Sequence, residues 1–145
     1  MMQNDLRVEW DEGFSVDVVE IDTHQKKMFD LFNELIDLKQ KKAEAKAIAN
    51  IITEINDYGK LYFAEEEKIL RKREYPDREI HARYHRRFVR NALNLRREIT
   101  EDVNNLSLDA IVSLRDWLIE HILTNDSMYV PFLRIHRYVE EASGK

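Results

Sequence analysis

The sequence predicts an all-α protein, an up-down-up-down four-helix bundle with an N-terminal arm and a short C-terminal tail helix. Three observations carry this expectation. The 145 residues contain only 3 Gly and 2 Pro, whereas sheet proteins turn often and use these residues to do it. Apolar side chains recur along most of the chain at the 3.6-residue helical period. Hydrophobic residues at 43% and charged residues at 35% suit a buried core under a solvated surface. The length fits one domain, residues 1–145, divided into an arm (1–20), a bundle (about 22–126) and a tail (127–145).

The elements follow in chain order. Residues 1–20 are acidic and irregular, with Trp10 and Phe14 as apolar anchors for an arm laid against the body. Asp22 and Gln25 have capping-box spacing, which places the start of the first helix near Thr23. Its apolar face is Ile21, Met28, Leu31, Phe32, Leu35 and Ile36, and it fades in the basic run at 39–42, where cations suit the helix dipole. The second helix spans about 45–73, with Ile48, Ile52, Ile55, Tyr62 and Ile69 on one stripe. Glu66 falls on the same stripe. Pro76 and Asp77 mark a break before a third helix, about 78–102, whose inner face is Tyr84, Phe88, Leu95 and Ile99. Ser107 caps a fourth helix that turns Ile111, Leu114, Leu118 and Ile122 inward. A short tail follows Tyr129 and Pro131.

Composition removes several function classes. A net charge of −5 disfavours nucleic-acid binding, which draws its affinity from neutralising phosphates. The arginines of the third helix (Arg83, Arg86, Arg87, Arg90, Arg96, Arg97) are spread around it rather than gathered on one face. With no cysteine, disulfides, thiolate metal sites, iron–sulfur clusters and cysteine nucleophiles are excluded. No stretch approaches 18 apolar residues, and the first ten residues lack a signal core. A cytoplasmic location without a membrane partner is the expectation; oligomeric state is not legible.

The chemistry concentrates on the inward faces. Four of the 5 histidines lie on core-facing stripes. His24 belongs with Ile21, Met28 and Leu31; His81 and His85 are one turn apart; His121 sits between Leu118 and Ile122. His136 falls in the tail and reads as a surface residue. One inward histidine is more often a hydrogen-bonded core residue than a ligand. Four of them with Glu66, and with Asp126 just beyond His121, are harder to bury uncompensated, at several kcal/mol each. A metal centre accounts for all of them, and the two carboxylates have oxygens enough to bridge a pair of ions. Nitrogen-rich ligands with carboxylates suit iron, or manganese, better than magnesium or calcium. The weak point is Asp126: five residues past His121 it stands about 140° away on a straight helix.

At these residues the chain resembles the hemerythrin family, above all its single-domain bacterial members. The likeness runs from about Val8 to Tyr129: Trp10 in the arm, IDTH at 21–24, YFAEEE at 62–67, HARYH at 81–85 and WLIEHILTND at 117–126. It implies a non-haem centre of two iron ions, Fe2+/Fe3+, with a bridging oxo or hydroxo group. His81, His85 and His121 would hold one iron, Glu66 and Asp126 would bridge, and His24 would hold the second, whose open position takes dioxygen. Glu65 and Glu67 read as surface residues. An apolar dioxygen pocket is expected from Leu118, Ile122, Phe63 and Trp10.

The departure is at residue 62, where the family has histidine and this chain has Tyr62. Phe63 and Glu66 keep their register, so this is a substitution and not a shift. Three readings are open. Tyr62 ligates as a phenolate and favours ferric iron; it stands aside and hydrogen-bonds a carboxylate or water; or it is an aromatic core residue. The resemblance implies oxygen storage, delivery or sensing rather than enzyme activity. The alternatives are a ferric-phenolate enzyme acting on peroxide or nitric oxide, and an iron- or oxygen-sensing module.

Overall fold

The computed structural model describes residues 6–102 and 106–144. The first five residues of the expected arm lie outside that range. The described chain is all-α: α1 (Val19–Gln40), α2 (Ala45–Lys72), α3 (Arg78–Glu101), α4 (Leu108–His121) and α5 (Ser127–Ala142). A π-helical turn, Ile122–Asp126, joins α4 to α5 without a break. Helix α2 packs on α1 and α3, and α4 packs on the same two from the other side, which closes the four-helix ring.

Local chemistry sets the ends of these helices. At the end of α1, Lys42 takes a left-handed φ of 58°, Ala43 N bonds Leu38 O at 2.9 Å and Lys42 N bonds Lys39 O at 3.1 Å. The end of α2 repeats the motif with Glu74 at φ 58°, Tyr75 N to Leu70 O at 2.9 Å and Glu74 N to Arg71 O at 3.1 Å. Both are Schellman caps made without glycine. The second stops α2 before Pro76 is reached. Ser107 Oγ accepts from Ala110 N at 3.0 Å and starts α4 as expected.

The first helix differs from its expectation. It begins at Val19, four residues before Thr23, and Val18 at its N-cap makes no side-chain cap bond. Asp22 and Gln25 do not form a capping box. The Asp22 carboxylate instead accepts from Ser15 Oγ at 2.6 Å and Val16 N at 2.9 Å, so it clamps the arm onto the helix. Asn33 does the same further along: its Oδ1 accepts from Val8 N at 2.8 Å and its Nδ2 donates to Val8 O at 2.9 Å. Phe14 meets Phe29 edge-on, with ring centroids 5.0 Å apart. The expected arm therefore lies along α1 as a fixed strap.

The core is a column of Phe29, Phe32, Leu35 and Ile36 from α1, Ile48, Ile52 and Ile55 from α2, Phe88, Ala92 and Ile99 from α3, and Ile111 and Leu118 from α4. It fills the bundle on one side of the polar cluster described next. On the other side α5 contributes Tyr129 and Val130. The tail helix is 16 residues long, and its buried residues complete the bundle's polar end.

Candidate metal centre

Five buried side chains from three helices and the π turn converge inside the bundle. Glu66 of α2, His81 and His85 of α3, His121 of α4 and Asp126 of the π turn each offer one donor atom, and these atoms lie within 4.8 Å of one another. Spacing explains the first three. Glu66 shares the inward stripe of α2, and His81 and His85 are one turn apart on α3, with rings 4.7 Å apart and nearly perpendicular. His121 is fixed by Trp117, whose ring stacks on it at 5.0 Å and 8°.

Asp126 arrives by a route that straight-helix geometry forbids. The Ile122–Asp126 segment is π-helical, and an i→i+5 turn returns the fifth residue to the face of the first. Asp126 Oδ1 therefore sits 3.1 Å from His121 Nε2 and 2.8 Å from His81 Nε2. The expected 140° offset is removed by one wide turn. Two hydroxyls cover carbonyls along it: Thr124 Oγ1 donates to Glu120 O at 2.6 Å and Ser127 Oγ to Leu123 O at 2.7 Å.

The donor atoms fit a metal ion. His81 Nε2 and His85 Nε2 each lie 2.9 Å from Glu66 Oε1. An octahedral ion with bonds of about 2.1 Å separates adjacent donors by about 3.0 Å. Among the described residues, His85 Nε2, both nitrogens of His121 and Asp126 Oδ1 are buried without a hydrogen-bond partner. The ligating atoms among them lie close together without forming hydrogen bonds to one another. Buried polar atoms are seldom left so, and a shared cation satisfies His85 Nε2, His121 Nε2 and Asp126 Oδ1 together.

Each carboxylate gives its second oxygen to a phenol. Glu66 Oε2 accepts from Tyr129 Oη at 2.7 Å, and Asp126 Oδ2 from Tyr62 Oη at 3.5 Å. The electrostatics of the metal-free cluster follow. Burial works against a charge on His81, but the close carboxylates of Asp126 and Glu66 together outweigh it and raise its pKa from 6.5 to about 10. Burial likewise opposes charge on His85, and Glu66 and Glu67 overcome it, so its pKa is raised. Glu66 is the reverse case: burial favours its neutral form, yet His81 and His85 hold it well below the usual carboxylate value. Burial, then the Glu66 and Asp126 charges, push the Tyr62 and Tyr129 phenols well above their ordinary value.

The other residues singled out in the sequence stand around this cluster. His24 is outside the five-donor group. Its ring lies against Tyr62 with centroids 5.8 Å apart. Its Nδ1 meets Tyr58 Oη at 2.6 Å, and its Nε2 meets the carboxylate of Glu65. Tyr62 is fully buried between His24 and Phe63. Phe63 stacks on His85 at 4.0 Å and 8°, and Leu118 and Ile122 are buried in the same core cluster as Phe63. Trp10 is only half-buried, and its Nε1 donates to Gln25 Oε1 at 2.8 Å. It stands behind Gln25, a neighbour of the Tyr62 hydroxyl. His136 is half-buried against Phe132, with ring centroids 5.4 Å apart.

Glu65 and Glu67 remain partly exposed, but they do not only face solvent. Both are half-buried and engage inward rings: Glu65 reaches His24, and Glu67 Oε2 lies 2.8 Å from His85 Nδ1. The signal for Glu65 was the i, i+4, i+7 spacing of Tyr58, Tyr62 and Glu65, which puts them on one face of α2. Tyr129 was also missed as a site residue, because nothing local says that the tail folds back over Glu66.

Relatives agree with the chemistry of the cluster. Residues 16–133 match the model of the hemerythrin HHE cation binding domain. The chain is 32% identical to a bacteriohemerythrin of Pseudomonas aeruginosa over 127 residues, covering 86% of this chain and 80% of the relative. It is 26% identical to a bacteriohemerythrin of Stenotrophomonas maltophilia over 129 residues, with 88% and 82% covered. A hemerythrin-like protein of Naegleria gruberi is 30% identical over 120 residues, with 83% and 88% covered. With a matching family model across most of its length and a buried imidazole–carboxylate cluster within that span, the chain belongs to the hemerythrin family.

Proposed function

We propose that this chain is a non-haem di-iron protein that binds dioxygen for storage, delivery or sensing, and that it has no separate substrate. The observation that carries this reading is the buried cluster of three imidazoles and two carboxylates, whose donor atoms lie within 4.8 Å of one another and are partly without hydrogen-bond partners. His81, His85 and His121 would hold one ion, Glu66 and Asp126 would be shared, and His24 would serve the second. Iron supplies the reversible exchange of electrons with dioxygen; the same donors suit manganese.

The chain's own residues prepare the site for that exchange. Glu67 takes the Nδ1–H of His85 and leaves Nε2 for the metal. Phe63, Leu118 and Ile122 are buried apolar walls that exclude water. Tyr129 donates to Glu66 and fixes its orientation. Tyr62, in this reading, keeps its proton and donates to Asp126. The approach of its Oη to Asp126 Oδ2, at 3.5 Å, supports that role over a phenolate ligand.

Metal analysis beside an optical spectrum tests the proposal. Purified protein should carry iron, and anaerobic reduction followed by air should give a spectral change that reverses under argon. Protein that stays folded while refusing iron would sink it. Tyr62→Phe should leave the visible bands in place. A band lost in that variant would instead support phenolate ligation and the redox-enzyme alternative.

A further inference from the structure

The two sides of the centre are built unequally. One side has five buried donors already converged. The other, in the two-ion reading on which this inference rests, lacks the family's second imidazole because residue 62 is tyrosine. Beside that gap lies a group of different composition: His24, Tyr58 and Glu65. Tyr58, Tyr62 and Glu65 share one face of α2, so the carboxylate is delivered by the same helix that would have delivered the missing ring.

We propose that Glu65 is a ligand of the second metal position and, paired with His24, replaces the donor lost at residue 62. The two partners of the His24 ring make this workable. In one tautomer Tyr58 Oη donates to Nδ1 and Nε2–H donates to Glu65. In the other, Nδ1–H donates to Tyr58 Oη, and the Nε2 lone pair faces a carboxylate. Two acceptors facing each other are reconciled by a cation between them, in the place that the proton holds in the first tautomer. Tyr58 can serve either form, because a hydroxyl donates or accepts. A divalent ion then occupies the place of the Nε2 proton, which moves to Nδ1. The Glu65 side chain is 45% exposed while that of His24 is 13% exposed, so this position opens to solvent on its carboxylate side. Its donors are one nitrogen and mainly hard oxygens, against three nitrogens on the buried side. The second ion is therefore weaker and exchangeable, and the first is retained.

The test is an anaerobic calorimetric titration of the full-length, metal-free chain with ferrous iron. Metal content after desalting is measured alongside. Wild type should bind in two steps, with one ion surviving desalting and a second lost. Glu65→Gln should weaken the second step at least about tenfold and leave the first unchanged. In a Tyr62→His background, with the imidazole restored, the same Glu65→Gln change should cost little. Circular dichroism and the intact first step report the fold; Glu65→Ala carries the same expectation if the glutamine variant misfolds. An equal penalty in both backgrounds would make Glu65 a group that only orients His24, and would overturn the proposal. So would a Glu65→Gln protein that binds both ions like wild type, which leaves the two-ion reading standing. Uptake of a single ion by every variant would end both.

Discussion

The Nδ1–H of His85 donates to Glu67 across 2.8 Å, and this fixes which nitrogen of a buried ring faces the cluster. Glu67 lies outside the five-donor group and meets it at His85, so its effect on the centre passes through that ring. Carboxylates in that position set the tautomer, raise the basicity of the ligand and typically account for 10–100-fold in metal affinity (about 2 kcal/mol). Glu67→Gln should lower affinity for the retained ion by about 10-fold, and Glu67→Ala by more. Equilibrium dialysis against a competing chelator reads this directly. An unchanged affinity in both variants would mean that Phe63 stacking alone orients the ring. Sequence showed the ligand candidates but not such supports. A glutamate beside a glutamate carries no local mark of which histidine it meets, and only the approach of α3 to α2 decides that.

At the scale of elements, the π turn is the feature on which Asp126 depends. Five residues there span the arc that four span in an α-helix. Removing one exposed residue should therefore turn the π turn into ordinary α-helix and keep Asp126 on the face of His121, now four residues away. We expect deletion of Thr124 to preserve metal binding, whereas insertion of one alanine after Thr124 should abolish it by turning Asp126 about 100° away. Metal stoichiometry of the two variants, with circular dichroism as the control for folding, checks both expectations. If the deletion loses the metal, the turn does more than place one carboxylate. The helices themselves were legible: α2, α3 and α4 lie where apolar periodicity and the Ser107 cap placed them. The start of α1 was not, because Asp22 has the spacing of a cap but is drawn to Ser15 and Val16 of the arm.

Across the whole molecule, the cluster couples metal binding to pH and to stability. In the metal-free chain, His81 has its pKa raised from 6.5 to about 10. Its ion pairs thus stabilise the fold fully below about pH 6.5, and that contribution fades as pH rises toward about 10. Glu66 is shifted downward from 4.5, so its contribution is present above that value and is lost only in stronger acid. Metal competes with the same protons and gains as pH rises. The gap in melting temperature between loaded and metal-free protein should therefore widen from about pH 6.5 to about pH 8.5. Thermal melts with and without a chelator measure it. A gap that stays constant or narrows would show that His81 and His85 are not protonated in the metal-free state.

Sequence by itself determined the all-α bundle, the apolar faces, and the residue types that gather as metal donors. These follow from period and composition, which are local properties of the chain. Tertiary structure decided the rest. It brought Tyr129 over Glu66, set the partly exposed Glu65 against His24, and closed the His121–Asp126 spacing with a wide turn. Each depends on where one helix lies against another, and a contact of that kind leaves no trace in the spacing of either helix alone.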